Sequence, residues 1–289
     1  MIDSRRALTA RQTRRHLVDR FMTSVLTASA VFAAGLLVLI LGYVILRGYS
    51  ALNLAFFTQA PLPIGEVGGG VAPAILGTVS MLAIAALLGV PIGLATAIYL
   101  SEYGHGRLAS LIRFVIDLLA GLPSIVVGVF VWALLVRKVI GNFSGIAGAV
   151  ALAIIIIPIV TRTAEEIIRL VPDSLREASF ALGTRRWRTI LSVVLPTASA
   201  GLVSGTVLAL ARAGGETAPL LLTALGNQFF NFDLRQPTAA LPIQIYNYAV
   251  SPYDDWHTKA WGSAFILIMV IAIFSLLTRV LAARSSGAR

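Results

Sequence analysis

Residues 71–100, VAPAILGTVSMLAIAALLGVPIGLATAIYL, contain no charged side chain. A helix rises about 1.5 Å per residue and the hydrocarbon core of a bilayer is about 30 Å thick, so a stretch of this length and polarity reads as a membrane-crossing helix. The same test applied outward in both directions finds five more, approximately Phe21 to Leu46, Leu108 to Val136, Ile146 to Ile168, Val193 to Leu225 and Trp261 to Leu281. The longer ones must tilt or protrude. Composition agrees. The 289 residues are 57% hydrophobic and only 12% charged, with a mean hydropathy of +0.87, outside the usage of soluble domains. The expectation is an all-α integral membrane protein with six transmembrane helices in one domain.

The net charge of +10 reads as membrane topology rather than as a nucleic-acid footprint, because its distribution is one-sided. Seventeen of the 23 Lys and Arg flank the spans on one side: six precede the first span, two follow the second (Arg107, Arg113), six follow the fourth (Arg162 to Arg188) and three follow the sixth. Five lie on the other side (Arg47, Arg137, Lys138, Arg235, Lys259), and Arg212 lies within a span. Positive flanks stay in the cytoplasm, so both termini are expected there. Residues 1–20 form a basic cytoplasmic arm able to rest on anionic lipid headgroups, 21–284 the transmembrane domain and 285–289 a short tail. The first apolar stretch is too long for the core of a cleaved signal, and no small-residue cleavage site follows it. Cysteine is absent, and His16, His105 and His257 are scattered, so no metal site is expected.

Helix breakers divide the spans. Pro61, Pro63 and Gly68-Gly69-Gly70 turn the chain back into the second span, while Gly89-Val90-Pro91 and Gly121-Leu122-Pro123-Ser124 predict kinks and close backbone packing. The outer loop, 226–258, carries Phe229, Phe230, Tyr246, Tyr248, Tyr253 and Trp256, aromatic residues of the kind that sit at headgroup level. Some of them could instead meet a partner outside the membrane.

Between the fourth and fifth spans, residues 171–196 are too polar to cross. Pro172-Asp173-Ser174 predicts a helix start with Asp173 or Ser174 as cap and Glu177 in the first turn; Gly183 predicts its end, and Arg185-Arg186-Trp187-Arg188 a basic turn. Glu177-Ala178-Ser179, then Gly183, then Val193, Leu195 and Pro196 resemble the cytoplasmic "EAA…G…I-LP" loop of permeases in binding-protein-dependent ABC importers. Ser179 stands where that pattern has its second alanine, and Val193 where it has isoleucine. The resemblance implies a coupling helix, 174–188, that docks on an ATPase subunit through Glu177, Ala178, Ser179, Gly183 and Pro196, within the six-helix, MetI-like fold of small importer permeases.

Charges inside spans cost about 2.5 to 3.5 kcal/mol on insertion scales, so they mark function by default. Arg212 and Glu216, at i and i+4, are expected on one helix face about 6 Å apart, able to neutralise each other at rest. The guanidinium fork suits the oxygens of phosphate, and Gly214, Gly215 and Pro219 would loosen the helix locally. The alternative is a buried ion pair that only fixes helix register. Arg162 is a second candidate, facing either the bundle or the cytoplasmic surface beside Glu165, Glu166 and Arg169; Asp117 is expected to pair with Arg113 one turn away. The run Arg212 to Leu221, which includes Thr217, is similar to the corresponding span of phosphate importer permeases, and to their A-type rather than C-type subunit through Ala218-Pro219-Leu220-Leu221. Gly69 to Thr78 and Leu122 to Val126 are similar as well, extending the resemblance from about Gly68 onward. It implies a substrate pathway through Arg212, Glu216, Thr217 and Arg162.

With lysine only at 138 and 259, no G-x-x-x-x-G-K-[ST] loop exists, so this chain is not itself expected to be an enzyme or to bind a cofactor. The resemblance implies partners in the bacterial cytoplasmic membrane: a second, C-type permease, two ATPase subunits that hold ATP and Mg, and an extracytoplasmic phosphate-binding protein. Importers of sulfate or molybdate share this class. An ion-coupled secondary transporter would show inverted repeats, which the sequence lacks.

Overall fold

A computed structural model describes residues 2–63, 66 and 68–287, with side chains described within 15–278 and at 280. The side chains of the arm through Arg14, and Arg279, Arg284 and Arg289, lie outside the described residues. The elements are α1 (Ile2–Gly48), α2 (Leu54–Thr58), α3 (Ala72–Ile98), α4 (Gly106–Gly121), α5 (Ser124–Val131), α6 (Gly145–Arg169), α7 (Asp173–Ala181), α8 (Arg186–Thr189), α9 (Leu195–Gly214), α10 (Ala218–Thr223), α11 (Leu241–Ala249) and α12 (Asp254–Gly287). Wider, π-type turns prolong α3 over Tyr99–Tyr103, prolong α5 over Trp132–Ile140 and lead from α8 into α9 over Ile190–Val194.

Among the described residues, five runs are long and apolar enough to cross a bilayer: Arg15–Ala51, Ala72–Tyr103, Gly145–Arg169, Arg186–Gly214 and Asp254–Thr278. The sixth is a bent pair, Gly106–Gly121 and Ser124–Ile140, meeting at 104°. Six crossings therefore stand only with the third broken at Leu122-Pro123. Proline lacks an N–H and disfavours helical geometry in the residue before it, which ends α4 there. The fifth span also stops short of Leu225, at Gly214.

In lipid, apolar burial drives little association, so helices meet where small residues let backbones approach. The central pair, α3 and α6, shows this. A Cβ on Gly89 would lie 3.0 Å from Ile156, and one on Gly93 would lie 2.9 Å from Val160. Thr161 adds a hydroxyl donated to the Gly93 carbonyl at 3.3 Å. The Gly89-Val90-Pro91 run is thus a packing surface. Around this pair Met81, Leu82, Leu152, Ile156, Leu210 and Leu220 form the core with α9 and α10. Helix α1 leans on α12, with Tyr43 edge-on to Trp261 at 5.1 Å between centroids, and is otherwise exposed along most of its length.

The outer loop is more ordered than its aromatic content suggests. Leu241 to Ala249 forms α11, whose Leu241, Pro242, Ile243, Gln244 and Tyr248 are buried against the bundle. Tyr248 and Trp256 pack edge to face at 5.0 Å. Tyr248 is thus a core residue and not a headgroup anchor. Burial pushes its hydroxyl above the ordinary tyrosine range, against the opposing effect of the Gln244 side chain.

The Leu241 N–H donates to Thr78 Oγ at 2.8 Å, and the segment before it lies directly on α3. A Cβ on Gly77 would stand 2.0 Å from the Ala239 carbonyl oxygen. Gly77→Val should therefore cost about 1 to 3 kcal/mol by overpacking and lower the unfolding temperature of the detergent-solubilised protein. An unchanged transition would show that the outer segment is not anchored on α3.

Candidate translocation site

The bend between α4 and α5 opens a cavity of about 390 Å³. Its walls come from the end of α4, the start of α5, the middle of α6 around Pro158, and the junction of α9 with α10. Arg162, Arg212 and Glu216 all line it, so elements far apart in the chain bring three of the four expected pathway residues together. Thr217 does not line it; it is half-buried at the start of α10.

Arg212 and Glu216 do not share a helix face as their spacing predicts. Helix α9 ends at Gly214, Gly215 follows as its cap, and α10 begins only at Ala218. Two glycines carry the highest entropic cost of continuing a helix, and Pro219 fits the first turn of a new one. Glu216 therefore sits in the break, and among the described residues neither it nor Arg212 forms an ion pair. The mutual neutralisation expected at rest is absent. Arg212 is exposed, and its guanidinium is available to the cavity.

The pairing of Asp117 also differs from expectation. Its Oδ1 accepts from Arg162 Nε at 2.8 Å and Nη2 at 2.5 Å, while Arg113 donates to Glu165 at 2.8 Å and to the Leu100 carbonyl at 2.8 Å. Helix α4 lies across α6, so Arg113 and Asp117 each meet an opposite charge on α6 rather than each other one turn away. Arg169 reaches the same Glu165 oxygen at 2.6 Å. Arg162 thus turns toward α4 and the cavity and stands apart from the Glu165 cluster.

Just past the C-terminal end of α6, α7 forms as expected but caps differently. Pro172 is the residue before it, with no side-chain cap, and Asp173 pairs instead with Arg176 at 3.1 Å. Its C-terminus is a Schellman turn: Gly183, at φ +78°, donates its N–H to the Phe180 carbonyl at 2.9 Å, and Thr184 donates to the Ser179 carbonyl at 3.2 Å. Glu177 and Ala178 are exposed on α7, in company with Leu175, Phe180 and Leu182. Ser179 points inward, its hydroxyl bonded to those of Thr184 and Thr189 at 2.7 and 2.9 Å. Pro196 occupies the first turn of α9.

A buried charge pair holds this elbow and was not among the expected site residues. Arg176 Nη2 meets Glu102 Oε1 at 2.8 Å, with 14% and 7% of the two side chains exposed. Arg176 also donates to the Val171 and Ile168 carbonyls, and Arg186 donates to the Glu102 carbonyl while covering the Tyr103 ring. The available signal was a lone carboxylate, Glu102, directly after a span with no other charge.

Residues 89–287 match the family described as binding-protein-dependent transport system inner membrane component. Among curated proteins, the chain is 41% identical over 98% of its length to the phosphate transport system permease protein PstA of Yersinia pestis, covering 95% of that protein. It is 40% identical over 91% of its length to PstA 1 of Mycobacterium tuberculosis strain H37Rv, covering 87% of that protein. Among solved structures, a chain of the inward-facing MetNI methionine ABC transporter matches with TM-score 0.58 at 20% identity, over 75% of this chain and 95% of that one. A chain of a bacterial ABC transporter involved in alginate import matches with TM-score 0.62 at 13% identity, over 93% and 99%. These two similarities establish the fold.

Proposed function

This chain belongs to the binding-protein-dependent transport system inner membrane components, and within them to the phosphate transport permeases; we propose that it is the A-type permease subunit of an ATP-driven importer of inorganic phosphate. The observation that carries the reading is the cavity, where Arg162 and Arg212 converge from α6 and α9 on a space bounded by a broken span. Arg162 is held by Asp117 at the cavity edge, Arg212 has no ion-pair partner among the described residues, and the forked donors of both guanidinium groups match a tetrahedral oxyanion. Both termini face the cytoplasm.

Transport energy enters from outside the chain. The exposed face of α7, with Glu177, Ala178 and the open Gly183 turn, is offered to an ATPase subunit; Ser179 holds that turn from within and Pro196 starts the span that carries Arg212. A C-type permease completes the pathway, and an extracytoplasmic phosphate-binding protein delivers the anion. ATP and Mg are bound by the ATPase subunits.

A tag on this chain should recover an ATPase and a second permease from native membranes. In proteoliposomes supplied with the binding protein, the complex should take up labelled phosphate only with ATP, and excess sulfate or molybdate should not compete. Preferential uptake of sulfate or molybdate would reassign the substrate. Recovery without an ATPase, together with uptake driven by an ion gradient, would make the chain a secondary transporter.

A further inference from the structure

The two ion pairs that join α4 to α6 are built differently. Arg113 is held by Glu165 and by the Leu100 carbonyl, Glu165 is held by Arg169 as well, and only 12% of the Glu165 side chain is exposed. That pair is partly buried, with 34% of the Arg113 side chain exposed, and redundantly bonded. Asp117 and Arg162, by contrast, have each other alone among the described residues, and 53% and 52% of the two side chains are exposed. A half-exposed pair with a single partner on each side opens more easily than the shared cluster of Arg113, Glu165 and Arg169. It sits at the cavity edge: Arg162 lines the space, and Leu119 and Ala120, just beyond Asp117 on α4, line it too.

We propose that Asp117 is a positioning residue that serves as an exchangeable counter-ion for Arg162, holding the guanidinium while the cavity is empty, yielding it to the transported anion, and recapturing it as the anion leaves. The proposal rests on the reading of the cavity as the phosphate path. Asp117 engages only the Nε and Nη2 side of the guanidinium, so Nη1 can begin to bond an incoming oxyanion before the carboxylate lets go. Exchange of one anion for another spares Arg162 from standing unpaired at the cavity edge at any step. It also keeps the anion from being held too tightly, since Asp117 competes for the same donors. Arg212, which has no counter-ion of this kind, supplies the permanent positive potential.

The test uses the complete transporter complex in detergent. A water-soluble carbodiimide with glycine methyl ester modifies free carboxylates, and peptide mass spectrometry reads the extent at each position. Adding inorganic phosphate to the wild type should raise modification of Asp117 severalfold, while chloride at equal ionic strength should not, and Glu165 should stay constant as the internal reference. Asp117→Asn should retain labelled phosphate more tightly, by about tenfold if the wild-type pair is open one-tenth of the time, and should slow uptake. Asp117→Glu, which keeps the charge, should resemble the wild type.

Asp117 modification that ignores phosphate would overturn the exchange, as would an Asp117→Asn complex with unchanged retention. A purely structural brace would lower assembly or stability in Asp117→Asn without altering wild-type modification on phosphate addition. The labelling measurement therefore decides even where that variant does not assemble. Failure of the wild-type complex to take up phosphate at all would sink the functional reading instead, a result distinguishable from phosphate uptake with an unresponsive Asp117.

Discussion

Arg212→Gln should leave the assembled complex able to bind and hydrolyse ATP while uptake of labelled phosphate falls about 10- to 100-fold, the equivalent of one charge-assisted hydrogen bond of about 1.5 to 3 kcal/mol. The expectation follows from position. Arg212 lies at the last turn of α9, exposed to the cavity and without an ion-pair partner among the described residues, so no described ion pair is lost when its charge goes. Glutamine is shorter but keeps the first methylenes and a polar end, which limits the loss of packing. Arg212→Lys should recover part of the uptake, since a point charge persists but the fork does not. Undiminished transport by Arg212→Gln would remove this residue from the pathway and leave the cavity potential to Arg162.

Arg176→Met should have the largest effect on stability and on coupling together. It strands Glu102, which is 93% buried as a side chain, and removes donors from the Ile168 and Val171 carbonyls. Breaking a buried pair from one side costs about 3 to 5 kcal/mol, because an uncompensated charge remains. Pairing the change with Glu102→Gln should restore much of the thermal stability. If the link transmits motion from α7 to the connector after α3, the double variant should still hydrolyse more ATP per phosphate moved than the wild type. Full recovery of both stability and coupling by the double variant would reduce the pair to a structural fastening.

The route from the elbow to the cavity can be followed bond by bond. Arg176 ties α7 to Glu102; two residues before it, the Leu100 carbonyl accepts from Arg113 on α4; and one turn further along α4, Asp117 holds Arg162. Each contact lies between 2.5 and 3.1 Å. Contiguity alone is not coupling, and the double variant above is the measurement that separates the two.

Much of the architecture was legible in the chain because hydropathy adds residue by residue and a bilayer demands a set length. Residues 72–103, 145–169 and 254–278 appear as helices where their apolar runs place them. Helix α7 and the Gly183 turn are equally local, since a glycine at positive φ and a short polar helix need no distant partner. The resemblance to importer permeases also lay in local spacing, from Glu177 through Pro196.

What escaped the sequence was every feature decided by contacts between elements. Asp117 had Arg113 four positions away, yet pairs with Arg162, 45 positions away, because a 104° bend turns α4 across α6. Arg212 and Glu216 had helical spacing, yet the Gly214-Gly215 break separates them, since backbone entropy and Pro219 outweigh the few tenths of a kcal/mol that an i,i+4 pair returns. Ser179 fitted a docking pattern by its size, yet tertiary hydroxyl partners turn it inward. The sequence by itself determined which segments lie in the membrane and which family the chain resembles, because both are sums of local terms. Only the tertiary structure decided which charges meet and where the cavity opens, because a charge takes the partner that folding brings nearest.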